Sequence, residues 1–306
     1  VQPTHARAVL QALFVTFLWS TSWVLIKIGL DEIPALTFAG LRYALAFLLL
    51  VPALTRPGVR HAVARLPRRD WALLLALGVV MYTLTQGAQF LALDRLPAQT
   101  TSLVLSFSPV AVALLGAALL GERTKPLQGI GVLVFLASAL TFLYPIAFPE
   151  GQAIGLGIAV MGLMANAGAS VLGRHVNRSA KLPAAAVTLV SMGAGAILLL
   201  AVGIGTQGLP DLSIRGWAIV GWLAAVNTAF AFTLWNRTLQ KLTAMESSIV
   251  NNTMLIQIAV LAWIFLGESM NARQVVGLVL AAAGTLVVQL AGSRRRPMMP
   301  QHAEEG

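Results

Sequence analysis

Tyr82, Gln86 and Gln89 stand four and three residues apart inside a run that is otherwise nearly free of strongly polar side chains. That spacing puts all three on one face of a helix. Their chemistry is that of binding: a ring that stacks and amides that both donate and accept. Similar groups recur in other apolar runs. "WSTSW" supplies Trp19, Ser22 and Trp23, and a later run supplies Ser102, Ser106 and Pro109. Further runs carry Asn166 and Ser170, then Asn227, Phe232, Trp235 and Asn236, then Ser248, Asn251 and Asn252. Polar groups in such runs turn toward a bundle interior or a cavity. They also act as glue between helices, at about 0.6 kcal/mol per bond, which is the default role for any single Ser or Thr. The residues read as substrate-binding are Trp19, Ser22, Trp23, Tyr82, Gln86, Gln89, Ser106, Asn166, Asn227, Phe232, Trp235 and Asn252.

Covalent and metal chemistry are poorly served. His5, His61, His175 and His302 lie outside the apolar runs, no run holds an Asp, and the chain has no cysteine. A nucleophilic serine would have no base, and a buried metal would have no ligand cluster. No Gly-rich phosphate-binding pattern is present. The expectation is therefore no catalytic residue, no metal and no cofactor, with a membrane-embedded enzyme as the distant alternative. Two cations need separate accounts. Lys27, near the end of the first run, can snorkel to water. Arg42 lies about 12 Å along the second run from Pro34, at 1.5 Å per residue. It either ties helix ends through carbonyls or holds a carboxylate.

The elements that position these groups are membrane helices. Of 306 residues, 58% are hydrophobic and 10% charged, and the mean hydropathy is +0.81. Soluble domains carry roughly a quarter charged residues. Ten runs approach bilayer length: 8–29, 34–54, 71–92, 98–120, 126–147, 154–174, 183–203, 214–238, 244–266 and 272–291. The net charge of +10 comes from Lys and Arg concentrated in the connections. This is membrane topology, not a nucleic-acid surface. Arg56, Arg60, Arg65, Arg68 and Arg69 share one side with Arg174, Arg178, Lys181 and the basic tail. Both termini are therefore expected in the cytoplasm, with the chain in the inner (plasma) membrane. The expected partners are a small-molecule solute and the lipid bilayer, with the chain acting as a monomer.

A shift of 146 superposes the second part of the chain on the first. Trp71 meets Trp217, "LDRLPA" (93–98) meets "LQKLTA" (239–244), Gly121-Glu122 meets Gly267-Glu268, Gln128 meets Gln274, and Gly131 meets Gly277. Pro34-Ala35 meets Pro183-Ala184 at 149. This gives two homologous halves, 1–150 and 151–292, and a basic tail, 293–306. With five helices each, the halves enter the membrane in opposite senses, the plan of a secondary transporter. The fold class is thus all-α and polytopic, ten transmembrane helices as two inverted five-helix repeats. Glu122 and Glu268 sit at helix ends, where they can cap N–H groups or meet loop cations. The fifth and tenth runs, with Gly277, Ala281 and Gly284 at packing spacing, read as scaffold. The cavity is then expected among the first, third, fourth, sixth, eighth and ninth.

These doubled motifs, "LGER…Q…G" and "LGES…Q…G", resemble the EamA-type ten-helix exporters of the drug/metabolite transporter superfamily, over nearly the whole chain. One departure is Leu255, the repeat partner of Pro109, where the family usually carries Pro. The resemblance implies export of amino acids and other metabolites, as in exporters of the YddG type. Pairing the halves also places Trp19 with Asn166, Gln86 with Phe232 and Gln89 with Trp235. Such a mixture of aromatic, amide and hydroxyl groups suits an aromatic or hydrophobic amino acid taken through a central cavity by alternating access. Neutral drug-like compounds or other metabolites are the alternative. Pro109, Arg42, Glu122 and Glu268 are assigned gating or structural roles.

Overall fold

The computed structural model describes residues 3–120, 126–144, 150–179, 182–239, 241–242 and 244–293, and among them every regular element is helical. A chain in hydrocarbon must satisfy its backbone internally, and these uninterrupted apolar runs do so as helices. The first two spans are Pro3–Gly29 and Ala35–Leu50, the second continuing as a 3-10 turn, Val51–Thr55. The third runs Arg68–Arg95 and the fourth comprises Ala98–Leu105 and Ser108–Leu120. Pro126–Leu143, Glu150–Ser179 and Ala184–Gln207 follow as the fifth to seventh. The eighth starts at Ile214 and ends with Ala231–Leu239; Ala244–Leu266 and Ala272–Ser293 complete the series. Eight of the described helices are long and apolar enough to cross a membrane. The fourth is broken in two, and the apolar part of the fifth is Gly129–Leu143. The connection after the second span is not plain loop: Pro57–Ala64 is a short helix.

The repeat read from sequence is present in the backbone. Helix Arg68–Gly78 corresponds to Ile214–Ala224, and each leads directly into a π-helical stretch, Val79–Gln86 and Ala225–Phe230. Two π insertions at matched positions widen the third and eighth spans alike.

Side-chain ties bring odd-numbered connections to one end. Glu32 accepts from the Ser213 N–H and, at 2.8 Å, from its hydroxyl, joining the first connection to the seventh. These bonds hold the Glu32 carboxyl below the usual range. Lys27, Asp31, Arg95, Gln152 and Glu268 surround one opening of about 420 Å³, adding the third, fifth and ninth connections to the same end. The connection with Arg56, Arg60 and Arg65 lies at the other end.

The fifth and tenth spans pack antiparallel. A Cβ on Gly131 would lie 2.7 Å from Val288, one on Gly284 2.9 Å from Phe135, and one on Gly277 2.8 Å from Phe142. Gly131 and Gly277 are repeat partners, as are Phe142 and Val288, so the contact is nearly its own image under the repeat. Close approach without Cβ atoms is how helices gain packing energy in lipid. Gly277→Val should therefore destabilise the protein by about 1–3 kcal/mol, because the clash is partly with backbone that cannot rotate away. Thermal unfolding in detergent reads this, and Gly129→Val, where a Cβ meets nothing, is the control.

Candidate functional site: a polar cavity in the bundle

A cavity of about 220 Å³ lies among the first, fourth, sixth, ninth and tenth spans. Its wall includes Trp23, Ser102, Ser106, Ser108, Pro109, Asn166, Asn251, Asn252, Thr285 and Gln289, with Leu105, Met254, Leu255 and Ile258 as its apolar part. No charged side chain is among these residues.

Pro109 makes part of this space. Proline has no N–H, so the carbonyl four residues earlier loses its helical donor. That carbonyl, Leu105 O, instead accepts from Ser108 Oγ at 2.7 Å. The helix breaks at Ser106–Phe107, and Ser106 and Ser108 both line the cavity. Asn166 Nδ2 donates to Ser108 Oγ at 2.8 Å. The ninth span, with Leu255 at the equivalent position, runs unbroken from Ala244 to Leu266. The two halves do not bend alike.

One end of the bundle is fastened across the halves. Gly267 adopts φ +67°, the left-handed region that favours glycine. This turns the chain so that Glu268 reaches the fourth span. Its carboxylate accepts from Ala98 N–H at 2.7 Å and Gln99 N–H at 3.1 Å, and Gln99 Nε2 donates to Glu268 O at 2.5 Å. Lys27 Nζ donates to Leu93 O at 2.5 Å and Leu96 O at 3.0 Å, closing the preceding helix. Glu268 is thus a helix cap, and Lys27, at the rim of the opening, also caps a helix C-terminus. Gln274 forms a reciprocal capping box with Asn271, at 3.0 and 2.9 Å. The matching Gly121-Glu122 lies outside the described residues.

The family model described as the EamA-like transporter family matches residues 6–144 and 153–290, one copy over each half. The chain belongs to the EamA-like transporter family. This transporter is 26% identical over 301 residues to a protein named "Probable amino-acid metabolite efflux pump" from Salmonella typhimurium, covering 93% of this chain and 95% of that one. It is 23% identical over 300 residues to the "Uncharacterized transporter YoaV" of Bacillus subtilis, covering 95% and 99%. A solved crystal structure superposes with a TM-score of 0.67 at 21% identity, covering 94% of this chain and 99% of that one, which shows a shared fold. Relatives of this kind are transporters or efflux pumps, and the EamA-like transporter is not an enzyme.

In the transporter, Trp23, Ser106, Asn166 and Asn252 share the cavity with Pro109. Asn252 is held by Ala282 O at 2.7 Å. The remaining polar and aromatic positions sit elsewhere. Trp19 packs on Phe232 and Trp235, both with ring centroids 5.2 Å away. Asn227 donates to Leu18 O and, at 3.2 Å, to Thr21, stapling the eighth span to the first. Ser22 bonds back to Trp19 O at 2.5 Å. Tyr82 stacks edge-on with Tyr43 at 5.6 Å, and the Tyr43 hydroxyl donates to Gln86 Oε1 at 2.6 Å. Gln89 is half-buried one turn further on. Among the described residues, those of the third and eighth spans therefore contribute packing here, and none of them lines this cavity. The tenth, expected as a scaffold or contact helix, contributes Thr285 and Gln289. Also unforeseen was Gln257, which bonds Ser20 at 2.9 Å, Thr16 at 3.3 Å and Thr253 at 2.9 Å, a polar seam between the first and ninth spans.

Proposed function

We propose that the transporter exports hydrophobic and aromatic amino acids by alternating access, as a monomer in the inner membrane with both termini cytoplasmic. The observation that carries this reading is the wall of the cavity, which combines amides and hydroxyls with Trp23 and aliphatic side chains and includes no ion. Hydrogen-bonding groups of this kind hold a compact polar head, while Trp23 and Leu105 favour an apolar side chain. Trp23, Ser106, Asn166 and Asn252 are the proposed solute contacts. The name of the Salmonella relative, an amino-acid metabolite efflux pump, supports the same class. The orientation rests on the arginines between the second and third spans, and the two repeats, 1–150 and 151–292, rock against each other around the cavity.

The test is uptake into proteoliposomes of a labelled panel: leucine, phenylalanine, tryptophan, lysine, glutamate and a neutral drug-like amine. Leucine and the aromatic amino acids should move at least about tenfold faster than lysine and glutamate, the factor that one missing methylene-sized contact already supplies. Equal rates for charged amino acids would sink the amino-acid reading, and selective movement of the amine would replace it with drug export.

A further inference from the structure

Arg42 is buried in the second span, only 4% exposed. Its Nε donates to Thr228 Oγ1 at 3.1 Å, and its guanidinium carbon lies 5.1 Å from the Tyr43 ring centroid. A guanidinium has five N–H donors. Among the described residues the four on its terminal nitrogens have no acceptor, and no carboxylate interacts with the group. The side chain keeps only a small accessible surface.

The repeat shows that this contact does not require a charge. Arg42 aligns with Ser191 by the shift that pairs Pro34 with Pro183, and Tyr82 aligns with Thr228. There the seventh span packs on the third at Tyr82: a Cβ on Gly195 would lie 2.7 Å from Tyr82 Cβ, and Thr83 Oγ1 donates to Gly195 O at 2.9 Å. The same junction, second helix of one half to π-helical stretch of the other, is thus built twice: Thr83 to Gly195 without a charge, and Arg42 to Thr228 with one. A hydroxyl serves as glue in the first. The second adds a full positive charge at bilayer depth, where an unpaired ion is costly and ionisable groups face a partner or a solute path.

We propose that Arg42 is an anion site, its terminal N–H groups holding one small monovalent anion, a carboxylate or a halide. A guanidinium fork matches a carboxylate through two parallel bonds and binds a halide through the same pair of donors. The site is separate from the cavity lined by Asn166 and does not depend on which solute that cavity takes. The anion is either the carboxylate of a solute on its way through or a free inorganic ion.

Full-length transporter in detergent is melted in chloride, acetate and gluconate at one pH and one ionic strength. Chloride and acetate should raise the melting temperature saturably, by about 3 °C over the bulky gluconate, as ligands that bind only the folded state do. Arg42→Gln should abolish the difference, and Thr228→Ala, which keeps the charge, should retain it. Chloride-35 line broadening on the wild-type protein, reversed by acetate, tests the site without any variant. If leucine also reverses the broadening and leucinol does not, the site takes a solute carboxylate; if neither does, it takes a free inorganic anion. Equal melting in the three salts with no broadening beyond that of empty micelles overturns the proposal, as does an Arg42→Gln protein that still responds to chloride.

Discussion

Glu268→Ala should make a cysteine at Ser102 react about five- to thirtyfold faster with a membrane-impermeant maleimide applied from the end that holds Glu268. The chain has no native cysteine, so the probe reports alone. Ser102 lines the cavity and is 3% exposed, one turn inside the helix start at Ala98. The Glu268 carboxylate accepts the N–H groups of Ala98 and Gln99. Glu268 belongs to the second half and Ala98 to the first, so any motion that parts the halves at this end must break both bonds. Loss of a helix cap costs about 1–2 kcal/mol. If the cap exists only in the closed arrangement, that energy shifts the balance toward the open one by the stated factor. The Gln99 amide to Glu268 O is untouched by the substitution, which keeps the effect from growing larger. Glu268→Gln, with a neutral acceptor, should fall between. Unchanged labelling in both variants would mean that the cap only ends a helix and plays no part in closure.

The same pair of residues shows what could be read from sequence. Gly267-Glu268 at the end of an apolar run is a legible end-marker, and capping was one of the two roles expected, beside meeting a loop cation. Which helix Glu268 caps was not legible, because that helix lies in the other half, 170 residues earlier at Ala98. Periodicity has the same reach. It places Tyr82, Gln86 and Gln89 on one face, yet a face can meet a cavity or another helix. Here Tyr82 and Gln86 meet Tyr43, since aromatic rings and amides satisfy one another as readily as they satisfy a solute. Pro109 was legible because a missing N–H has a local consequence. Thr285 and Gln289 were not, because Gly277, Ala281 and Gly284 dominate the tenth span and read as a packing stripe. Those glycines do pack, on the fifth span, while the polar residues beyond them serve a different neighbour. The π-helical stretches carry no sequence pattern of their own, and only the repeat makes the second one expected once the first is known.

Asn166→Leu should slow transport of leucine by about five- to 150-fold, the range for removing one partner of a buried polar contact at 1–3 kcal/mol. Ser108 Oγ donates to Leu105 O and accepts from Asn166 Nδ2. This fixes the direction of the chain: the freed carbonyl orients the serine, and the serine orients the amide. That bond uses one of the two Asn166 N–H donors and fixes the plane of the amide; in the cavity that Asn166 lines, its Oδ1 is then the acceptor suited to an ammonium or another N–H donor. Leucine at 166 has nearly the same volume, so packing against the sixth span's neighbours changes little while the acceptor disappears. Ser108→Ala should have a smaller effect, about threefold, because the amide then loses its orientation but keeps its oxygen. Asn166→Asp should keep the acceptor and add a negative charge, improving lysine relative to leucine. The order Leu, then Ala at 108, then wild type, together with the lysine shift in Asp, is specific to an acceptor aimed at the solute. A merely structural Asn166 would show the first loss in melting temperature and not in the choice between leucine and lysine. Transport at the wild-type rate in Asn166→Leu would mean that solute passes through the bundle without using this cavity.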